Sequence, residues 1–415
     1  MCLSRAAATS PEPRLRPIRR WAARGRLDTR RPLAGAALVL ALLLFAPVPG
    51  WAQSGSEEPS RFRDPDDGAF DMSAQLASAS GFLPIVNIIT EPALDYGLMV
   101  VPAFFHRPAG WSLEEARAAF DRGEVQSPPS ITVGAAAYTL NDSWFVGGGH
   151  LGIWQGDRLR YTGFGGYGRF NLSLVRDVPD VGDVTYDYTL EGWGLIQGLR
   201  WRLGGSPWLV GGRYSLAGMT ATLPEQPGNL EEVQEESRNG ALGLTVSYDG
   251  RDNFFTPNRG VSASLDGRRY DDALLGDYDY WEGALSVSGF VPLPSVGVLG
   301  LRGKGTVTGD GAPFWGLPSV GMRGVPARQY VGSWVFQAEA ELRWDLNRRW
   351  SLVGFGGAGW TDSEAAGEDR ARTVGGGGAG FRYLLARAFG VRAGGDLAWG
   401  PDGVAFYLTV GSAFR

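Results

Sequence analysis

The chain has 415 residues, including 63 Gly, 15 Trp, 14 Tyr and 20 Phe, while charged residues make up only 20%. Many glycines and aromatics, with no apolar run after residue 52 that reaches the ~20 residues of a membrane helix, argue against a soluble α/β enzyme, a disordered Gly-rich chain and a helical membrane protein. Residues 1–31 hold nine arginines and two acids, a net +7, so the formal −5 of the whole leaves −12 for the remainder and disfavours a nucleic-acid partner.

The basic start runs into an apolar segment, Leu33 to Val48, followed by Pro49, Gly50 and Trp51-Ala52-Gln53. A basic region, a short apolar core, a breaker and a small residue describe a secretory signal peptide over 1–52, and the core is short for a spanning anchor. Arg19-Arg20 and Arg30-Arg31 lack the flanking pattern of a twin-arginine signal. Cys2 falls in the segment to be removed, so no disulfide or thiol chemistry is expected of the mature chain. Residues 53–83 are polar and rich in Ser, Asp, Glu and Pro, which predicts a disordered periplasmic lead, too short for an additional globular domain with its own core.

From Pro84 onward the chain divides into sixteen strand-sized pieces, near 84–91, 97–106, 130–140, 143–155, 158–172, 185–203, 207–221, 239–252, 260–270, 278–292, 296–308, 333–346, 350–361, 374–385, 388–399 and 403–414. Several are longer than the usual soluble strand but suit a tilted membrane strand. In 333–346, Trp334, Phe336, Ala338, Ala340, Leu342 and Trp344 face one way, and Val335, Gln337, Glu339, Glu341, Arg343 and Asp345 the other. Trp193, Leu195, Leu199, Trp201 and Leu203 share one face of their strand, and Val404, Phe406, Leu408, Val410 and Phe414 one face of the last. Short turns such as Gly156-Asp157 and Ala386-Arg387 alternate with the longer stretches 173–184, 222–238, 309–332 and 362–373. That asymmetry predicts an all-β transmembrane antiparallel barrel over 84–415, with short periplasmic turns and long external loops. One short-side connection, 107–129, carries Ser112-Leu113-Glu114-Glu115, a capping box, and a run closed by Gly123, which predicts a periplasmic helical insertion.

Chemical motifs are sparse. Gly147-x-Gly149-x-x-Gly152 and Gly375-x-Gly377-x-x-Gly380 match a dinucleotide fingerprint only literally, since each lies inside a strand rather than between strand and helix. Asp249 with Asp252, and Glu339 with Glu341, are carboxylate pairs best read as lumenal charge opposite arginines. His106 and His150 lie in different strands without further ligands. No catalytic set, cofactor or metal is therefore expected, and an enzyme is the last-ranked function.

The most informative segment is 249–260, with Asp249, Arg251, Asp252, Asn253, Pro257 and Gly260. It resembles the D-x-R-D-N-x-x-x-P-x-x-G turn of BamA/TamA-type barrels, the bacterial surface antigen superfamily of outer-membrane insertases and translocators. Three further matches follow in order: Arg323-Gly324 in 309–332, resembling the family's lumenal R-G loop; Gly378-x-Gly380-x-Arg382; and an aromatic-ended last strand with Tyr407 and Phe414, resembling the signal that barrel assembly machinery recognises. Two positions depart from the pattern: Val325 stands where an aromatic is usual, and Gly357 where an acid is usual. The resemblance covers roughly 84–415 and implies a short member without POTRA domains, acting in Gram-negative outer-membrane assembly or protein or lipid translocation. A passive structural barrel or narrow pore is the alternative. The implied partners are outer-membrane lipid, the assembly machinery during biogenesis, and a protein or lipid client.

Loop 309–332 is long for an unstructured connection and holds Pro313, Pro318 and Pro326, so it is expected to follow a defined path into the lumen. Arg323 would be locked there by Asp396, which is in phase with Arg392, or by Glu339 or Glu341, with Gly324 allowing a tight turn.

Overall fold

The structure is a computed structural model and describes residues 61–78, 81–90, 96–108, 110–178, 182–223, 233–313, 315–362 and 372–414. The expected signal peptide and the first part of the lead lie outside these residues. The unit Pro59–Arg415 holds one sixteen-stranded antiparallel sheet in which each strand pairs with the next in sequence. The strands are β1 (Phe82–Ile89), β2 (Gly97–His106), β3 (Ser130–Thr139), β4 (Trp144–Trp154), β5 (Leu159–Val178), β6 (Gly182–Arg202), β7 (Trp208–Leu223) and β8 (Val233–Asp249). They continue as β9 (Gly260–Tyr270), β10 (Tyr280–Leu293), β11 (Gly297–Thr308), β12 (Trp334–Asp345), β13 (Trp350–Thr361), β14 (Arg372–Ala386), β15 (Val391–Gly400) and β16 (Gly403–Val410). The sheet curls into a nearly closed barrel.

Alternation decides which face goes where. Along β12, Trp334, Phe336, Ala338, Ala340, Leu342 and Trp344 are exposed on the outer wall, while Val335, Gln337, Glu339 and Arg343 are buried inside. Exposed tryptophans ring the outer wall near the short turns, at Trp154, Trp201, Trp208, Trp344 and Trp350. A second set, Tyr138, Trp281, Trp334 and Trp399, lies toward the long loops, with Leu and Val between the two. Two aromatic girdles around an aliphatic band are what a barrel surface in lipid requires.

Two expected loops are shorter than the sequence implies. The stretch 173–184 is mostly hairpin, because β5 and β6 stay paired as far as Val178 and Gly182. Likewise β7 and β8 stay paired out to Leu223 and Val233. Polar composition is a poor guide here, since two arms that leave the membrane together still satisfy each other's backbone groups.

The largest apolar core sits at the short-turn end. The insertion expected in 107–129 contains a helix, α2 (Leu113–Asp121), capped by Ser112 Oγ, which accepts the Glu115 N–H, and followed by Gly123 at φ 63°. Ala116 of α2, Phe105, Phe255, Phe389 and Val391 pack with Leu76 and Ala77, which belong to or follow a short helix, α1 (Ser73–Leu76). Residues 61–78 are therefore ordered, contrary to the expectation of disorder across the lead. Asp64 and Asp71 are buried and Asp66 and Asp67 are exposed, yet all four bind arginines about 300 residues away. Arg349 meets Asp64 at 2.5 Å, Asp67 at 2.7 Å and Asp71 at 2.8 Å. Arg387 meets Asp64 at 3.0 Å and Asp66 at 2.6 Å, and also pairs with Asp121 of α2. Backbone bonds complete the docking: Met72 N–H donates to Leu385 O at 2.7 Å and Ala388 N–H to Ser73 Oγ at 3.0 Å.

Burial alone would raise the carboxyl pKa of Asp64 and Asp121, but the Asp66 backbone N–H together with Arg387 and Arg349 at Asp64, and Arg387 and Arg348 at Asp121, outweigh it and hold both below the usual 3.8. Asp67 is lowered chiefly by its hydrogen bond from Arg349, against the opposing effect of burial. Groups with depressed folded-state pKa values contribute stability that is complete above the unfolded value and lost as pH falls through the folded one. Hydrogen exchange and limited proteolysis should accordingly find residues 61–78 protected from pH 8 to 5 and released below about pH 4. The variant R349A should release them at neutral pH, and protection of 61–78 in R349A would show that the ion pairs do not dock the lead.

The face assignment is open to thiol chemistry. Single cysteines at Trp334, Phe336 or Leu342 should react with lipid-soluble maleimides, and those at Gln337 or Glu339 only with water-soluble ones. The opposite pattern would mean a register displaced by one residue, which inverts every side chain.

Candidate functional site: the lumenal arginine lock and the strand seam

Loop 309–332 enters the barrel from the long-loop end. Val320, Met322 and Val325 are buried against Val335 of β12 and Val374 of β14. The Gln337 side chain clamps the loop backbone, donating to Gly321 O at 2.9 Å and accepting the Gly321 N–H at 2.9 Å. Gly324 follows with φ 85°, and its N–H donates to Tyr407 Oη at 3.0 Å. These contacts place Arg323 deep in the lumen, with its side chain only 10% exposed.

Three groups receive that guanidinium. Its Nη1 donates to Asp396 Oδ2 at 2.8 Å. Its Nη2 lies 2.7 Å from Glu341 Oε2, but off the hydrogen-bonding direction, so this contact is an ion pair without a well-aligned hydrogen bond. Its Cζ sits 3.6 Å above the Phe355 ring, in cation–π range. Glu339 is not a partner of Arg323; it pairs with Arg302 at 3.2 Å. The reason is its position on β12, opposite Arg302 on the neighbouring β11.

Asp396 carries more than the sequence suggests. Fully buried, it also takes two hydrogen bonds from Arg382, at 2.5 and 2.9 Å, and one from Thr409 Oγ1 at 3.2 Å. The Gly378-x-Gly380-x-Arg382 motif is now explained physically. A Cβ on Gly380 would lie 2.1 Å from Asp396 Oδ1, and one on Gly378 would lie 2.6 Å from the Phe355 ring that supports Arg323. Arg382 was visible in the sequence as the end of the glycine motif, yet nothing local ties it or Phe355 to Arg323.

The 249–260 segment connects β8 to β9 at the short-turn end and folds inward. Asp249 binds Arg160 at 2.7 Å and Arg251 at 2.8 Å. Asp252 Oδ1 accepts the N–H groups of Asn258 and Arg259. Asn253 Oδ1 accepts those of Phe255 and Thr256, while its amide donates to Phe389 O at 3.1 Å. Pro257 is fully buried, and Gly260 has φ 103°. The motif is thus a structural corner joined to the short-turn core. His106 and His150 lie on the outer wall, each hydrogen-bonded to Thr132 at 2.8 Å.

The last strand departs from expectation. β16 stops at Val410; Gly411, at φ 85°, turns the chain inward, and Phe414 packs in the lumen against Phe290 and Val298 instead of facing outward. Phe414 is buried, so period-two phase could not be extended past the glycine. Tyr407 also points inward, toward the loop.

The sheet order begins at β1 and ends at β16, and no ladder joins these two strands among the described residues. One side chain bridges them: Thr90 Oγ1 donates to Phe406 O at 2.8 Å and accepts the Phe406 N–H at 3.1 Å.

The lock has a measurable cost of removal. R323A leaves Glu341 short of its cation and weakens the hold on Asp396, and should lower stability by about 3 kcal/mol. D396N should cost more, because it loosens Arg323 and Arg382 together. R323K should not restore the wild-type midpoint, since an ammonium cannot bridge two carboxylates in a planar fork while stacking on Phe355. Heat-dependent gel mobility and proteolysis within 309–332 measure all three; equal stability of R323A and wild type would refute the lock.

No family model and no curated protein matches the sequence. Solved structures do match in fold. BamA from Haemophilus ducreyi lacking POTRA domains 1–3 is 12% identical with a TM-score of 0.50, over 79% of this chain and 70% of that one. CdiB from Escherichia coli is 12% identical with a TM-score of 0.54, over 82% of this chain and 69% of that one. CdiB from Acinetobacter baumannii is 12% identical with a TM-score of 0.50, over 79% of this chain and 59% of that one. With sixteen consecutive antiparallel strands and a loop folded into its lumen, this chain has the barrel fold of BamA and CdiB.

Proposed function

We propose that this protein is an outer-membrane barrel of the surface-antigen type that assists membrane assembly or the translocation of a protein or lipid client, using the edge between β1 and β16. The observation that carries this reading is the seam. Every other neighbouring pair of strands shares a ladder, whereas among the described residues β1 and β16 are bridged by the Thr90 side chain. Unpaired strand edges are templates for the addition of another strand, and in hydrocarbon the pressure to pair them is greatest. A client strand in transit needs such an edge. The BamA-like and CdiB-like fold and the ordered motif matches support the same class.

The short-turn end, in this reading, faces the periplasm. The passive-pore alternative is opposed by a buried core at that end and by loop 309–332 in the lumen. No catalytic chemistry is assigned, because Glu339, Glu341 and Asp249 are each engaged by arginines.

Full-length protein reconstituted in liposomes should accelerate insertion of an unfolded outer-membrane barrel several-fold over empty liposomes. Cysteines replacing Thr90 and Phe406, joined by a short thiol-specific crosslinker, should abolish the acceleration, and the uncrosslinked double variant should retain it. Acceleration that survives crosslinking, or none from the wild type, would overturn the proposal.

A further inference from the structure

The lumen wall is not uniformly polar. In the long-loop half of β4 to β7, the inward positions are Phe145, Phe164, Phe170, Leu190, Ile196 and Met219, separated by glycines. The register places all six on the face opposite the outward Trp193 and Leu195. They line a cavity of about 300 Å³. Phe164 is 37% exposed although it points into the barrel, so its ring is left uncovered by other side chains, while Leu190 beside it is buried. Uncovered apolar concavities cost free energy in water and mark binding sites, and this volume lies at the low end of the ~300–1,000 Å³ of small-molecule sites.

A charged layer adjoins it on the short-turn side. Inward residues two apart on a strand are ~7 Å apart. Arg213 is the next inward residue after Ser215 of the cavity lining, and Arg200 lies two inward steps beyond Ile196. Neighbouring lumen cations have acids at close range: Arg160 with Asp157 and Asp249, and Arg268 with Glu282 at 2.8 Å. Arg213 has only a 4.0 Å contact with Asp266, and Arg200 makes no hydrogen bond or ion pair among the described residues, with Asp266 and Asp249 acting on it only at longer range.

We infer that this chamber binds a single-chain anionic amphiphile, with the hydrocarbon chain against Phe145, Phe164 and Met219 and the acid head at Arg200 and Arg213. The apolar wall supplies burial. The under-neutralised arginines supply charge complementarity, with a planar fork suited to a carboxylate or phosphate. The small volume selects one chain over two. The inference does not rest on the seam or on the insertase reading.

The probes are dodecanoate and its uncharged counterpart dodecanol, titrated calorimetrically into full-length protein in amphipol, with protein-free amphipol as the blank. Dodecanoate should bind saturably at about one per barrel. G194L should abolish binding: Gly194 faces the cavity, and a Cβ there meets nothing within 4 Å, so the larger side chain fills the cavity without a clash. A217F fills the same space from β7 and serves if G194L does not fold by heat-dependent gel mobility. R200Q should weaken dodecanoate about tenfold, as expected for one charge-assisted contact, and leave dodecanol unchanged. No saturable binding, wild-type binding by a folded cavity-filled variant, or equal effects of R200Q on both probes would each overturn the inference.

Discussion

A peptide backbone in hydrocarbon finds no water, so each N–H and C=O must be bonded within the protein. Everything else in this molecule hangs from that constraint. It forces fifteen successive ladders, from β1–β2 to β15–β16, and turns the outer wall into an apolar band between aromatic girdles. It also gives the β1–β16 seam its significance. There the described residues form no ladder, and Thr90 Oγ1 bonds the Phe406 N–H and C=O, which is the edge the proposed client strand would use.

Once the ring exists, its interior must be filled, and the two ends are filled by different physics. At the long-loop end, a buried carboxylate organises the packing: Asp396 binds Arg382 of the wall and Arg323 of the incoming loop at once. Buried ion pairs add little net stability over an apolar core, but an unpaired charge there is costly, so such a network specifies one position for the loop. The glycines of β14 make that position sterically available. At the short-turn end, an apolar core forms first-order packing, and the acids of 61–71 fasten the lead onto Arg349 and Arg387. This closure is tied to carboxylate ionisation.

How much of this was legible depends on the range of the interaction. The outward face of β12, the capped helix α2 and the turn residues Asp252 and Asn253 follow from spacing within a few residues, and the structure places them accordingly. Arg323 and Asp396 were nominated through loop length, phase and family resemblance, and they are 2.8 Å apart. The assignment among Asp396, Glu339 and Glu341 needed coordinates, because Glu339 is on the same face as Glu341 but lies opposite Arg302 in the sheet register. Phe414 was misplaced by carrying alternation through Gly411, where a positive φ ends it.

The sequence by itself determined the architecture: sixteen alternating stretches with short and long connections admit few arrangements other than an up-and-down barrel, since alternation is a local consequence of strand geometry. It also contained, in the acids of 61–71 and the arginines of two tight turns, both halves of the short-turn closure. Only the tertiary structure decided that those halves meet. An acidic stretch looks solvated until its partners are known, and Arg349 and Arg387 are brought to it by barrel closure rather than by any spacing along the chain. The same holds for the lumen, where curvature alone sets Phe355 beneath Arg323 and leaves Arg200 without an ion pair among the described residues.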